Sequence, residues 1–338
     1  MNSIPAHRPP SGNAKPEYRH IYFSPHLDDA VLSCAGRIAR QTGAGLPVLV
    51  VTVFAGSGGR ATRPPPRPAF APFQDIPSRR REDRRALDVV GADHRWLDFP
   101  DAIQRHRRYA SLAGITAPLG QREAQLRTEV ANEVARIGRC WPAARLYFPL
   151  AVGNHVDHQI VAAAGFDLHR SGVRAGREIT FFEDAPYVCI PHLLRQRFEQ
   201  AGIASAPGAP PSVAACAREA YGVLMSSVQL SRYAGPVARR LLFILLLVRF
   251  ARARLGARRR RRLVLRPELT DIADQFDTKI AAVACYDSQV AAIYGDRKTM
   301  RRELAACCGA HRPIGAHERY WRPEERSPPY HSREATVL

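Results

Sequence analysis

One stretch limits the fold more than any other. Leu46 to Ala55 (LPVLVVTVFA) is an unbroken, valine-rich apolar run. A strand with one wet face alternates polar and apolar residues. A run without alternation suits a parallel strand covered by helices on both faces. His20 to Ser24 (HIYFS), His94 to Phe99, Arg145 to Leu150 (RLYFPL) and Glu178 to Glu183 (EITFFE) also read as strands. Between them lie stretches with helical spacing: Ala30 to Arg40, Arg79 to Val90 ending near Gly91, Glu123 to Arg139, and His155 to His169. This alternation predicts a Rossmann-like, three-layer αβα sandwich with a mostly parallel sheet. From residue 190 onward the pattern is mostly helical, which predicts a helical C-terminal extension. We expect a flexible leader over 1–18, one domain over 19–310 with a basic insertion at 249–266, and a C-terminal tail over 311–338. Gly56 to Ser78 holds six prolines and reads as a long loop.

Charge narrows the partners. Among 338 residues, 50 are basic and 31 acidic, giving a net charge of +19. That predicts attraction to anionic partners, or reflects an arginine-rich composition with no selected role. Nine arginines fall between 249 and 266, directly after the apolar run Leu241 to Val248. The pair suits an interfacial helix at an anionic membrane, or a buried helix followed by a solvated loop. The apolar run is far below the roughly 20 residues that span a bilayer. Nucleic-acid binding is disfavoured because no zinc-finger spacing, RNP signature or KH-type loop accompanies the charge. Seven cysteines, with no CxxC pair, suggest ordinary thiols in a reducing compartment. The polar N-terminus has no apolar signal-peptide core. The expected location is therefore cytoplasmic, either free or at the inner face of the membrane.

Three polar clusters follow strand ends. They are Ser24-Pro25-His26-Leu27-Asp28-Asp29, then Asp98-Phe99-Pro100-Asp101, then Asn154-His155-Val156-Asp157-His158. In open parallel sheets, ligands sit at the carboxyl ends of strands, so all three point to one edge. His and Asp suit zinc, whose catalytic sites use three protein ligands and leave one position open. Adjacent Asp28 and Asp29 on a loop point in different directions, so one can bind metal while the other faces water. His155 and His158 are three apart and share a helix face. Asp157 could fix a histidine tautomer. Asp28, Asp29 and Asn154 could instead only cap helices. Gly56-Ser57-Gly58-Gly59 lacks the full dinucleotide spacing and reads as a loop rimming the site. No GxSxG or HExxH occurs, which removes serine-hydrolase and zincin readings.

HLDD with NHVDH resembles the PIG-L/LmbE family of zinc-dependent de-N-acetylases. Four further elements are similar in the same order: Arg79-x-x-Glu82-x-x-x-Ala86, Phe99-Pro100-Asp101, Phe182-Glu183-Asp184-Ala185-Pro186-Tyr187, and Lys279 through Tyr286 to Ser288-Gln289. Leu27 and Ala30 depart from the family's proline and glutamate, as in an SPHLDDA-type branch. The resemblance implies zinc, or another divalent metal such as Fe2+, held by His26, Asp29 and His158. It implies Asp28 as general base, with His155, oriented by Asp157, stabilising the oxyanion or acting as acid. Arg79 and Asp101 would bind substrate, although Arg79 in RRREDRR could be a solvated helix face and Asp101 a turn cap. The implied reaction removes an N-acetyl group from an amino sugar or N-acetylglucosaminyl-containing glycoconjugate and releases acetate. A non-catalytic metal- or sugar-binding member of the same fold is the alternative. Glu183 and Tyr187 are expected to position a loop.

Overall fold

The structure, a computed structural model, describes residues 17–57, 71–172, 176–190, 193–204, 263–309 and 315–324, with single positions between 221 and 248. Seven strands form one sheet: β1 (His20–Ser24), β2 (Val48–Thr52), β3 (Asp93–Trp96), β4 (Arg145–Pro149), β5 (Ile179–Phe182), β6 (Leu265–Asp271) and β7 (His317–Pro323). Their order across the sheet is β3-β2-β1-β4-β5-β7-β6. The first five pair parallel, while β7 runs antiparallel to both β5 and β6. All five β2 residues are buried, as the unbroken valine run requires.

Eight helices matter here: α1 (Asp29–Gly43), α2 (Ile76–Val90), α3 (Ala124–Cys140), α4 (Val156–Gly172), α5 (Leu193–Ala201), α6 (Phe276–Val283), α7 (Asp287–Ile293) and α8 (Arg297–Gly309). Side-chain alternation on β1 splits the core in two. Ile21 and Phe23 face a cluster with Val130, Val134 and Ile137 of α3 and Ile160 and Val161 of α4. Tyr22 faces the other side, with Val31 and Ile38 of α1, Leu87 of α2 and Val283 of α6. The result is the expected αβα sandwich.

Several boundaries differ from the sequence reading. Helix α2 starts at Ile76, inside the stretch read as loop. Asp75 accepts from the Ser78 amide at 3.1 Å, and Pro77 occupies the first turn, where its missing N–H costs nothing. Gly91, at φ +69°, ends the helix in the left-handed region. Two strands also lie where helices, insertion or tail were expected. Leu265 and Arg266 open β6, and β7 begins at His317, with Tyr320 and Trp321 almost fully buried. Their sequences, LRPELTD and HERYWRP, carry too much charge to read as strands locally. Most of the 1–18 leader lies outside the described residues, but Tyr18 is buried and donates to Asp93 at 2.7 Å. Most of 249–266 also lies outside them.

The cysteine expectation is corrected too. Cys189 and Cys307 form a disulfide that ties the turn after β5 to α8. The two are separated by 118 residues, and no local spacing could signal the pair. Disulfides are rare in reducing compartments, so the cysteines no longer argue for one. Among the described residues, no helix is long and apolar enough to cross a membrane.

Candidate metal and active site

Strand order reverses at β1, whose chain-sequence neighbour β2 lies on one side and β4 on the other. Ligands bind at such a reversal, where diverging connections leave a crevice. The loop after β1 carries His26, Asp28 and Asp29, and the loop after β4 leads into His155, Asp157 and His158. The third cluster arrives from β3 through bridges between Phe54 and Asp98 and between Gly56 and Pro100. Gly56 has no side chain because a Cβ there would meet the Asp98 carbonyl oxygen at 2.3 Å.

Asp29 stands at the centre. Its Oδ2 accepts from the His26 amide at 2.8 Å and lies 3.1 Å from both His26 Nδ1 and His158 Nε2. His26, His155 and His158 each offer a nitrogen, all within 4.8 Å of one another, and His26, Asp101 and Asp157 form a second such group. His26, Asp29 and His158, which the resemblance implies as ligands, thus meet at one point, with His155 beside them.

The donor chemistry fits a divalent cation. His158 Nδ1 lies 2.6 Å from Asp184 Oδ1, which directs Nε2 to Asp29 Oδ2. His26 Nε2 lies 3.0 Å from Asp157 Oδ2, which directs Nδ1 to the same Asp29 oxygen. Carboxylates behind both histidines are the usual support of metal-ligating imidazoles. Charge points the same way. Asp28, Asp29, Asp101, Asp157 and Asp184 are all buried, and share Arg79, Arg105, His26 and His158 as partners. Buried carboxylates need compensation, which a cation supplies.

Asp28 pairs with an arginine instead of a histidine. Its Oδ1 accepts from Arg79 at 3.2 Å. Burial raises its pKa to about 6, with Asp29 adding and Arg79 opposing. A carboxylate poised there suits a general base. Arg79 is buried rather than solvated, and its NH1 comes within 4.0 Å of Asp101. Asp101 is the turn cap foreseen as its alternative role. Oδ1 caps the Ala102–Arg105 turn through the Ile103 amide at 3.1 Å, while Oδ2 lies 3.5 Å from His26 Nε2.

His155 and Asp157 require a correction. The Asp157 side chain turns to His26, the Ala102 amide (2.9 Å) and Arg105 (2.5 Å), not to His155. His155 Nδ1 instead accepts from the Asp157 backbone amide at 3.2 Å, which puts the ring proton on Nε2. Burial, then the charge of His26, pushes His155 well below the usual imidazole range. It is therefore a neutral N–H donor rather than an imidazolium. The loop before it is tightly wound: Ala151, Gly153 and Asn154 have φ of +64°, +86° and +60°. Such conformations cost free energy and cluster where side chains must be aimed.

Sequence reasoning gave no role to Asp184, quoted only as part of a motif, and passed over Arg105. Asp184 follows β5, so the strand-end rule would have found it; it also accepts from the Val152 amide at 2.9 Å. Arg105 stood in an arginine-rich run with nothing to single it out. The remaining motif residues are structural. Glu82 accepts from the Ser288 amide (2.9 Å) and hydroxyl (2.6 Å), Tyr286 donates to Asp83 (2.7 Å), and Lys279 pairs with Glu318 (2.7 Å). Glu183 accepts from Trp321 at 2.8 Å and pairs with Arg319. Leu27 is fully buried beside Ala55 and Ile76, and Ala30 is buried with its amide on Ser24 Oγ at 3.0 Å.

Fold and site together define an α/β domain with a buried histidine–carboxylate cluster at the sheet's switch point. Residues 21–169 match the family described as GlcNAc-PI de-N-acetylase, PIG-L. A 2'-N-acetylparomamine deacetylase of Streptomyces fradiae is 35% identical over 173 residues, covering 50% of this chain and 57% of that protein. Its counterpart in Niallia circulans is 29% identical over 194 residues, covering 49% and 66%. The chain thus spans less than two thirds of either relative's length. The solved zinc-inhibited form of teicoplanin deacetylase Orf2 shares the fold, with a TM-score of 0.58 at 21% identity over 91% of this chain and 100% of that one.

Proposed function

We propose that the chain is a metal-dependent hydrolase that removes an N-acetyl group from an amino sugar or a glycoconjugate bearing one. The carrying observation is the meeting of His26 and His158 on Asp29 Oδ2, with Asp28 next in the chain but turned to Arg79. His26, Asp29 and His158 would hold the metal, zinc being the ion their chemistry suits. A divalent cation bound there supplies Lewis acidity and makes water acidic enough to attack near neutral pH. Asp28 takes a proton from the attacking water as its oxygen bonds to the acetyl carbon. His155 donates from Nε2–H to the oxygen that gains negative charge. The C–N bond then breaks, and Asp28 passes its proton to the departing nitrogen. The products are acetate and a free amine. Arg79 keeps Asp28 aimed, and Arg79 and Asp101 line the substrate side. Relatives named for 2'-N-acetylparomamine support an aminoglycoside-type sugar as the substrate class. The test is acetate release from 2'-N-acetylparomamine and N-acetylglucosamine derivatives with zinc present. Release by wild type but not by Asp28→Ala supports the assignment; equal release by both overturns it.

A peripheral membrane contact has one specific observation in its favour. Val237, Leu241, Ile244 and Val248 are exposed, at 69%, 62%, 55% and 43%. Their spacing of four, three and four puts them on one helical face. They are therefore not the buried core of a helix, and the arginines of 249–266 follow them directly. Co-sedimentation with anionic but not neutral liposomes, lost in Leu241→Ser/Ile244→Ser, supports the contact; no co-sedimentation with either overturns it.

A further inference from the structure

We infer that Arg105 is a positioning residue of the metal centre: by clamping one oxygen of Asp157, it aims the other at His26. The inference rests on the metal site proposed above. Asp157 is fully buried on the first turn of α4. Its Oδ1 accepts from Arg105 NH2 at 2.5 Å. Its Oδ2 accepts from the Ala102 amide at 2.9 Å and faces His26 Nε2 at 3.0 Å. A carboxylate held at one oxygen alone can swing about its χ2; one held at both has a fixed plane. Arg105 is itself held. Its NH1 donates to the Pro100 carbonyl at 2.8 Å, and its guanidinium lies 5.1 Å from the Phe54 ring and 5.6 Å from the Tyr109 ring.

The chain of contact is short: Arg105 to Asp157, Asp157 to His26 Nε2, and His26 Nδ1 to the point where Asp29 and His158 meet. Arg105 and the Ala102 amide come from one turn, so that turn supplies both donors to Asp157. The turn is capped by Asp101, which also faces His26. One short element after β3 therefore sets the orientation of a ligand that follows β1. Arg105 reaches the proposed ligand His26 through Asp157. Lysine in its place would keep the charge but lose the planar fork and the ring stacking.

The test is zinc affinity, read by competition with a chromophoric chelator on the full chain. Wild type, Arg105→Met, Arg105→Lys, Asp157→Asn and the Arg105→Met/Asp157→Asn double variant are compared, with circular dichroism confirming the fold. Loss of the support behind a ligating histidine weakens metal binding by about 10–100-fold. Arg105→Met is expected to show a loss in that range and Arg105→Lys a smaller one. In the Asp157→Asn background, adding Arg105→Met should cost nothing further, because the two act in series. Wild-type affinity in folded Arg105→Met overturns the inference. So does an equal loss from Arg105→Met in both backgrounds. If Arg105→Met fails to fold, Arg105→Lys and the double variant decide on the same criteria. A wild type that binds no zinc overturns the metal reading itself, and this one with it.

Discussion

His158 Nδ1 and Asp184 Oδ1 lie 2.6 Å apart in a fully buried pair. The contact fixes the imidazole tautomer and turns Nε2 toward Asp29. Asp184→Ala should therefore weaken zinc binding about 10–100-fold. Asp184→Asn, which still accepts a hydrogen bond, should lose less. Zinc titration checks both; unchanged affinity in Asp184→Ala would remove Asp184 from the metal's support.

Asp28 is proposed to move protons rather than bind metal. Asp28→Asn should keep full zinc stoichiometry while kcat falls by about 10²–10⁴. Metal analysis and acetate release on the same preparation check this. Loss of zinc along with activity would make Asp28 a ligand instead.

Gly153 combines a φ of +86° with a Cβ position 2.9 Å from Tyr187 Cγ. Gly153→Ala should lower stability by about 1–3 kcal/mol and reduce kcat by shifting the loop that leads into His155. Thermal melting and kinetics would show it. A variant as stable and active as wild type would refute the close packing.

Burial, then the charges of Arg145 and Arg37, lowers the His20 pKa to about 4. The folded chain therefore holds His20 neutral where the unfolded chain, with an ordinary pKa near 6.5, takes up a proton. This contribution to stability is complete above pH 6.5 and is lost as pH falls from there toward 4. His20→Gln should lose less Tm than wild type between pH 7 and pH 5. Parallel losses would show that His20 does not titrate differently on folding.

The Cys189–Cys307 bridge closes a loop of more than a hundred residues. Reduction should cost about 2–4 kcal/mol of stability. A Cys189→Ala/Cys307→Ala double variant should melt at the temperature of reduced wild type and ignore reductant. Wild type whose Tm is insensitive to reductant would count against the bridge.

The sheet and much of the site were legible because their signals are local. The valine run predicted β2, and strand-end clusters located His26, Asp29, Asp101 and His158 before any distance was known. What escaped was encoded at long range. Strands β6 and β7 carry charges that find partners only in the fold, as Glu318 does with Lys279. The aim of Asp157 depended on the Ala102 amide and Arg105, more than fifty residues away. His155 looked like a proton donor by type, yet burial decides its charge. The bridge between Cys189 and Cys307 depends on where α8 packs.

Strand β7 lies between β5 and β6, so the last described strand of the chain sits inside the sheet. The family match ends at residue 169, before β5 and before Asp184. A fragment cut at that point would keep His26, Asp29 and His158. It would leave β4 as a bare edge and His158 without the carboxylate that turns it. In this molecule the recognisable motif region is not a unit that stands alone. The carboxylate behind His158 follows β5, and the far end of the chain closes the sheet beside that strand.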